Sequence, residues 1–146
     1  MRLEKRILVV DDDDAIRALV STVLRRRGFR VDTARHGEEA LERIARCRYC
    51  LLVLDLMMPR LSGYQVLDHL DTMAASVRPL VLVLTAGLEP KSFNPDVVIG
   101  TIHKPFDIEL LVDTISACLA SLTETAQLES CAAVDDGVDV RPDKTN

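Results

Sequence analysis

The chain has 146 residues and a mass of 16.2 kDa, which corresponds to one domain with enough residues to bury a core. Hydrophobic residues make up 48% and charged residues 28%, which excludes wholesale disorder, collagen-like repeats and coiled coils. The net charge of −5 argues against a basic nucleic-acid-binding protein. No apolar run approaches the roughly 20 residues of a membrane span, and residues 1–10 lack the apolar length of a signal peptide. We therefore expect a cytoplasmic protein without a membrane or nucleic-acid partner.

Five apolar runs rich in Val, Ile and Leu alternate with segments of helical period. This alternation predicts the α/β class, with a five-stranded parallel sheet covered by helices on both faces. The predicted strands are 7–10, 29–33, 51–54, 80–84 and 97–102.

The helical segments differ in how clearly they are marked. The first ends before Gly28, the second is predicted over 38–45 and the third over 63–73. The fourth, between the fourth and fifth strands, is expected to be short or irregular because prolines interrupt it. The last follows Asp107, a favourable N-cap, and its apolar stripe should pack on the sheet.

The composition changes near residue 122. Residues 121–146 carry 2 Lys/Arg and 6 Asp/Glu without an apolar period, which predicts a globular domain over 1–122 and an acidic disordered tail over 123–146. The 26 residues after residue 120 are too few for a DNA-binding domain, so we expect the output to be a protein contact.

The four cysteines predict reduced thiols, because no secretory signal precedes them. Cys47 and Cys50 form the one suggestive pair. They follow a helical pattern instead of opening a helix, and no second pair completes a zinc site.

Acidic side chains follow two predicted strands. Asp11 and Asp12 come directly after the first strand, and Asp55 closes the third. In an open parallel sheet the binding crevice lies at this edge, so the three carboxylates converge there if the first and third strands are neighbours. They cannot all stay ionised at pH 7 without a cation, and an all-oxygen ligand set suits Mg²⁺. The sequence therefore predicts a magnesium site.

The fourth and fifth strands bring Thr85 and Lys104 to the same edge. A hydroxyl, an ammonium and a divalent cation around one carboxylate suit a phosphoryl group. Asp55 is nearly the only polar side chain in its apolar neighbourhood, which makes it a candidate nucleophile. The predicted chemistry is acyl-phosphate formation on Asp55.

Four ordered motifs resemble the response-regulator receiver domain of two-component signalling, over about residues 5 to 120. Asp55 precedes Thr85 by 30 residues and Gly63 by 8, which are the spacings of that family. The motifs are Val9-Val10-Asp11-Asp12, Leu54-Asp55-Leu56-Met57-Met58-Pro59 with Gly63, Leu84-Thr85-Ala86, and Lys104-Pro105-Phe106.

The resemblance implies a flavodoxin-like strand order 2-1-3-4-5 and a phosphoryl group taken by Asp55 from a sensor histidine kinase or phosphotransfer protein. It also implies that Thr85 and Lys104 contact this group and that the Lys104–Pro105 bond is cis. A downstream protein target would then read the switched surface. The implied Mg²⁺ ligands are Asp11, Asp12, Asp55 and the backbone carbonyl of Met57.

Two departures from the family pattern affect the expected behaviour. Thr101 stands three positions before Lys104, where the family usually has an aromatic residue. The family's usual coupling of phosphorylation to the output surface therefore lacks its aromatic side chain in this sequence. Met57 and Gly87 occupy the positions that tune dephosphorylation, and neither side chain orients a water, so we predict a long-lived phosphoryl group. The protein would not be an enzyme beyond its own phosphotransfer and dephosphorylation. The alternative is a non-cycling, receiver-like docking scaffold.

Overall fold

A computed structural model describes residues 5–87 and 93–123. Five parallel strands form one sheet: β1 (Arg6–Val10), β2 (Arg30–Ala34), β3 (Leu51–Asp55), β4 (Leu80–Thr85) and β5 (Val98–His103). Their order across the sheet is β2-β1-β3-β4-β5, as expected. The helices in the described ranges are α1 (Asp14–Arg26), α2 (Gly37–Arg46), α3 (Gly63–Asp71) and α4 (Ile108–Thr123).

The helices cover both faces of the sheet, which confirms the predicted α/β class. β3 lies between β1 and β4, and all five of its residues are buried. Its uninterrupted apolar sequence follows from this position, because a central strand of a parallel sheet packs against helices on both sides. α1 and α4 pack on one face and α2 and α3 on the other. The predicted stripe of α4 contributes four fully buried side chains: Leu111, Val112, Ile115 and Leu119.

Some element boundaries differ from the predicted ones by one or two residues. β2 begins at Arg30 instead of Phe29, because the N–H of Phe29 still bonds to the carbonyl of Leu24 in α1. α3 ends at Asp71 instead of 73, because the next residues form tighter turn bonds, such as that of Thr72 to His69.

The predicted fourth helix falls partly on residues 88–92, outside the described residues. The described flanks, 86–87 and 93–97, contain no helix. The predicted acidic tail also lies outside them, apart from Thr123, so the division at residue 122 stays a prediction. No helix in the described ranges has the length and apolar character to cross a membrane.

The cysteine prediction is wrong at one position. Cys47 and Cys118 are free thiols, as expected. Cys50 is buried at the start of β3 and is disulfide-bonded. Pairing depends on which thiols approach in the fold, and composition and spacing do not contain that information.

Candidate functional site

Three carboxylates meet at the carboxyl edge of the sheet, between β1 and β3. These strands pair in parallel with Val10 opposite Leu54, which places Asp11 and Asp55 side by side. One carboxylate oxygen from each of Asp11, Asp12 and Asp55 lies within 4.8 Å of the others. Asp11 and Asp55 are 0% and 2% exposed, whereas Asp12 is open to solvent. The site therefore combines two buried carboxylates with one that reaches water.

Lys104 joins the two buried carboxylates. Its Nζ lies 3.0 Å from Oδ2 of Asp11 and 3.4 Å from Oδ2 of Asp55. The backbone N–H of Lys104 donates to the carbonyl of Thr85 at 2.7 Å, and the Lys104–Pro105 bond is cis, as predicted. Lys104 directly follows β5, which lies two strands away from β3, and the structure brings its ammonium group into contact with Asp55.

Backbone N–H groups hold the other oxygens of these carboxylates. Oδ1 of Asp11 accepts from the N–H of Asp13 at 2.9 Å, and Oδ1 of Asp55 accepts from the N–H of Met57 at 3.1 Å. Met57 thus lies next to Asp55, and its side chain is 65% exposed. Both carboxylates are oriented by the loops that follow their own strands.

The charges of this cluster do not balance. Burial and the neighbouring carboxylate of Asp11 raise the pKa of Asp55 to about 7, while the Met57 N–H and Lys104 act in the opposite direction. Burial would lower the pKa of Lys104, but its hydrogen bond and attraction to Asp11 outweigh burial and raise it. One ammonium faces three carboxylates, so negative charge is in excess. This donor set, made of oxygen atoms alone, fits Mg²⁺.

Thr85 is buried at the end of β4, at the same edge of the sheet. It lies opposite His103 in the β4–β5 register, one residue before Lys104. Its Oγ1 lies 3.3 Å from both the backbone N and the backbone O of Gly87. The structure therefore brings Thr85 to the site edge, with its hydroxyl bonded to its own loop and not to the carboxylates.

Two further residues shape the site. A Cβ added at Gly63 would lie 2.6 Å from the backbone oxygen of Asp55. The first residue of α3 must therefore be glycine for the helix to approach the backbone of Asp55 this closely. Arg17 donates from Nη1 to the carbonyl of Asp11 at 2.8 Å and also pairs with Asp14. Sequence reasoning missed Arg17. Its position three residues after Asp14 in a predicted helix was the available signal.

The run of aspartates divides into two roles. Asp13 is the N-cap of α1, and its Oδ1 accepts from the N–H groups of Ala15 and Ile16 at 2.9 and 3.1 Å. Asp14 occupies the first turn, where a negative charge complements the helix dipole. Only the first two aspartates of the run thus join Asp55.

The chain matches the response regulator receiver domain over residues 7–116. It is 38% identical over 128 residues to the response regulator MprA of Mycobacterium leprae, covering 87% of this chain and 56% of that protein. The chain therefore spans about half the length of the curated relatives it matches.

Solved structures give the same result. A CheY-like receiver domain protein from Methanospirillum hungatei has a TM-score of 0.73 at 24% identity, covering 83% of this chain and 98% of the other, which supports the fold alone. The response regulator TrrA from Thermotoga maritima, crystallised in complex with Mg(2+)-BeF, is 32% identical with a TM-score of 0.68. That alignment covers 77% of this chain and 97% of TrrA. The chain belongs to the response regulator receiver domain family of two-component systems.

Proposed function

We propose that this receiver domain accepts a phosphoryl group on Asp55 with the help of Mg²⁺. The observation that carries the proposal is the position of Lys104, whose Nζ bridges Asp11 and Asp55 while Asp12 keeps the cluster open to solvent. A purely structural ion pair would need one carboxylate. Three carboxylates around one ammonium leave charge for a cation to neutralise.

The chain's own residues divide the work. Asp11, Asp12, Asp55 and the backbone carbonyl of Met57 would hold Mg²⁺, which supplies positive charge for phosphoryl oxygens. An oxygen of Asp55 attacks the phosphorus atom, the phosphorus–nitrogen bond of a phosphohistidine breaks, and the imidazole leaves. Lys104 offsets charge on the transferred group, and the hydroxyl of Thr85 leaves Gly87 to donate to a phosphoryl oxygen.

The phosphodonor is proposed to be a sensor histidine kinase or a phosphotransfer protein, and the output a contact with a downstream protein. The domain is not proposed to turn over a separate substrate. It promotes only the transfer of a phosphoryl group to its own Asp55 and the later loss of that group. The TrrA relative was crystallised with Mg(2+)-BeF, which supports a metal-dependent site of this kind. A cytoplasmic location and the absence of a nucleic-acid partner stay predictions.

Labelling by acetyl phosphate tests the proposal. Wild-type protein should gain one phosphoryl group in intact mass, only with Mg²⁺ present, and Asp55→Asn should gain none. Asp68→Asn is the matched control, because Asp68 is an exposed aspartate of α3 outside the cluster. No labelling of folded wild-type protein would favour the docking scaffold. Equal labelling of Asp55→Asn would exclude Asp55 as the acceptor.

A further inference from the structure

Basic side chains collect at the amino ends of the strands, at the opposite edge of the sheet from Asp55. They account for 9 of the chain's 18 Lys and Arg residues. We call this surface the basic edge and define it as Lys5, Arg6, Arg25, Arg26, Arg27, Arg30, Arg46, Arg48 and Arg78.

The parallel topology explains why these residues come together. Parallel strands all begin at one edge, and Arg6 at the start of β1 lies opposite Arg30 at the start of β2. The helices run back from the carboxyl edge, so the last turns of α1 and α2 end at the same side. Arg25 and Arg26 occupy the last turn of α1, and Arg46 is the last residue of α2.

Few negative charges offset this surface. The segments 5–6, 25–32, 46–51 and 78–80 contain a single acidic residue, Asp32. Its Oδ2 accepts from the hydroxyl of Tyr49 at 2.6 Å and lies 3.5 Å from Nη1 of Arg6. Asp32 is therefore already engaged, and positive charge remains in excess.

Several of the arginines are available for an anionic partner. Arg26 and Arg46 are exposed, and Arg78 is half-buried. In the part of the chain that the structure describes, none of these three takes part in an ion pair. Arg27 differs, because its guanidinium already holds Asp113 at 2.9 Å.

We infer that the acidic segment 124–146 of this chain docks on the basic edge. The segment contains six Asp or Glu residues and two basic residues, a net charge of −4 opposite a surface of nine positive side chains. Its acidic residues are Glu124, Glu129, Asp135, Asp136, Asp139 and Asp143.

The course of α4 delivers the segment to this surface. Arg27, at the C-terminal end of α1, contacts Asp113 in the second turn of α4. The ten residues 114–123 continue the helix by about 15 Å away from the Asp55 edge. The acidic segment therefore begins on the side of the domain where the basic edge lies.

Attachment to the domain favours this segment over a free polyanion or a second copy. A random-coil chain of 23 residues has an end-to-end distance of about 26 Å, against a radius of gyration of about 13 Å for a domain of this size. A segment of this length is thus long enough to span the basic edge. Because the segment is attached to the domain, its effective concentration at the basic edge is about millimolar. A free anionic partner of equal affinity would have to be present above that concentration to displace it.

Charge neutralisation in the full chain tests the inference. The variant Asp135→Asn/Asp136→Asn/Asp139→Asn should shift the NMR signals of the arginines of the basic edge. It should also elute from a cation-exchange resin at higher salt than a control with the same net charge. The control is Glu38→Gln/Asp68→Asn/Asp96→Asn, which neutralises three exposed acids outside the basic edge. With a thiol reductant present in all samples, raising NaCl to about 0.5 M should move the wild-type arginine signals toward those of the tail variant.

Two results would overturn the inference. One is unchanged arginine signals together with co-elution of the two variants. The other is a shift that disappears on dilution, which would assign the contact to a second copy. These measurements use the unphosphorylated protein. The outcome of the experiment is therefore independent of whether Asp55 accepts a phosphoryl group.

Discussion

The Nζ of Lys104 lies 3.0 Å from Oδ2 of Asp11, a carboxylate with no exposed surface. Lys104 thus supplies positive charge at the place where a metal cation would supply more. Lys104→Gln should therefore slow labelling by acetyl phosphate about a hundredfold, because charge on the transferred group loses a partner. Mg²⁺ affinity should be retained or increased, since a competing cation is removed.

Lys5→Gln is the control for this change, because Lys5 belongs to the basic edge and not to the Asp55 site. Labelling rates and Mg²⁺ titrations of both variants provide the measurement. Unchanged labelling of Lys104→Gln would contradict the role given to the ammonium group.

The raised pKa of Asp55 makes the metal-free protein and the Mg²⁺-bound protein respond to pH in opposite ways. The native carboxyl keeps its proton up to about pH 7, whereas the unfolded one loses it near pH 4. The stability contribution of this proton is complete below about pH 4 and is lost as the pH rises through about 7. Because Mg²⁺ binds the ionised carboxylate, the stabilisation of the protein by Mg²⁺ should increase as the pH rises through about 7.

Thermal unfolding at about pH 6 and about pH 8, with and without Mg²⁺, measures this dependence. At a Mg²⁺ concentration 100 times Kd, the gain is about 2.7 kcal/mol. Asp55→Asn should raise the melting temperature of the metal-free protein at the higher pH and remove most of the Mg²⁺ effect. An Mg²⁺ effect that shrinks with rising pH would contradict the prediction.

Met57 and Gly87 predict a long-lived phosphoryl group. Met57 is 65% exposed beside Asp55, and among the described residues, chain neighbours aside, no atom lies within 4 Å of a Cβ placed on Gly87. Both positions therefore have room for longer polar side chains on the described side of the site. Met57→Asn and Gly87→Glu should each accelerate loss of the phosphoryl group about tenfold by positioning a water. Decay of the phosphorylated mass after removal of acetyl phosphate gives the rate. Loss of the phosphoryl group from the wild-type protein by hydrolysis within seconds would contradict the prediction.

The close approach of Gly63 to Asp55 predicts a large difference between two glycine substitutions. A Cβ at Gly63 would lie 2.6 Å from the backbone oxygen of Asp55 and 2.7 Å from Cα of Leu56, and neither backbone atom can rotate away. Gly63→Ala should cost about 1–3 kcal/mol in the free energy of unfolding. In the part of the chain that the structure describes, the Cβ of Gly87→Ala meets no atom within 4 Å beyond its chain neighbours, so this variant should leave stability unchanged or raise it by up to about 1 kcal/mol. Equal urea midpoints for the two variants would contradict this.

Local sequence patterns predicted much of the fold. The continuous apolar run of β3 identified a strand buried on both faces, and the stripe of α4 identified the helix surface that packs on the sheet. Boundaries were less predictable, because they depend on single hydrogen bonds such as that of Phe29 to Leu24. The adjacency of β1 and β3 depends on pairing between distant segments, and the family resemblance supplied it.

The candidate site shows the same limit of local patterns. Strand ends predicted which edge carries Asp11, Asp55 and Lys104, because parallel strands all end on one side. They did not predict that the hydroxyl of Thr85 bonds to Gly87. The hydrogen-bond partner of this hydroxyl depends on the conformation of the loop after β4, which the strand pattern does not predict.

The separation of acidic and basic edges has a kinetic consequence. With the carboxylates of the Asp55 site at one end of the strands and nine basic side chains at the other, the domain described by residues 5–87 and 93–123 carries an electric dipole along the sheet, which docking of the acidic segment would reduce. In the field of a positively charged partner, such a molecule turns its acidic end forward while the two are still diffusing. Collisions are then pre-oriented, and the fraction that is productive falls as salt is added.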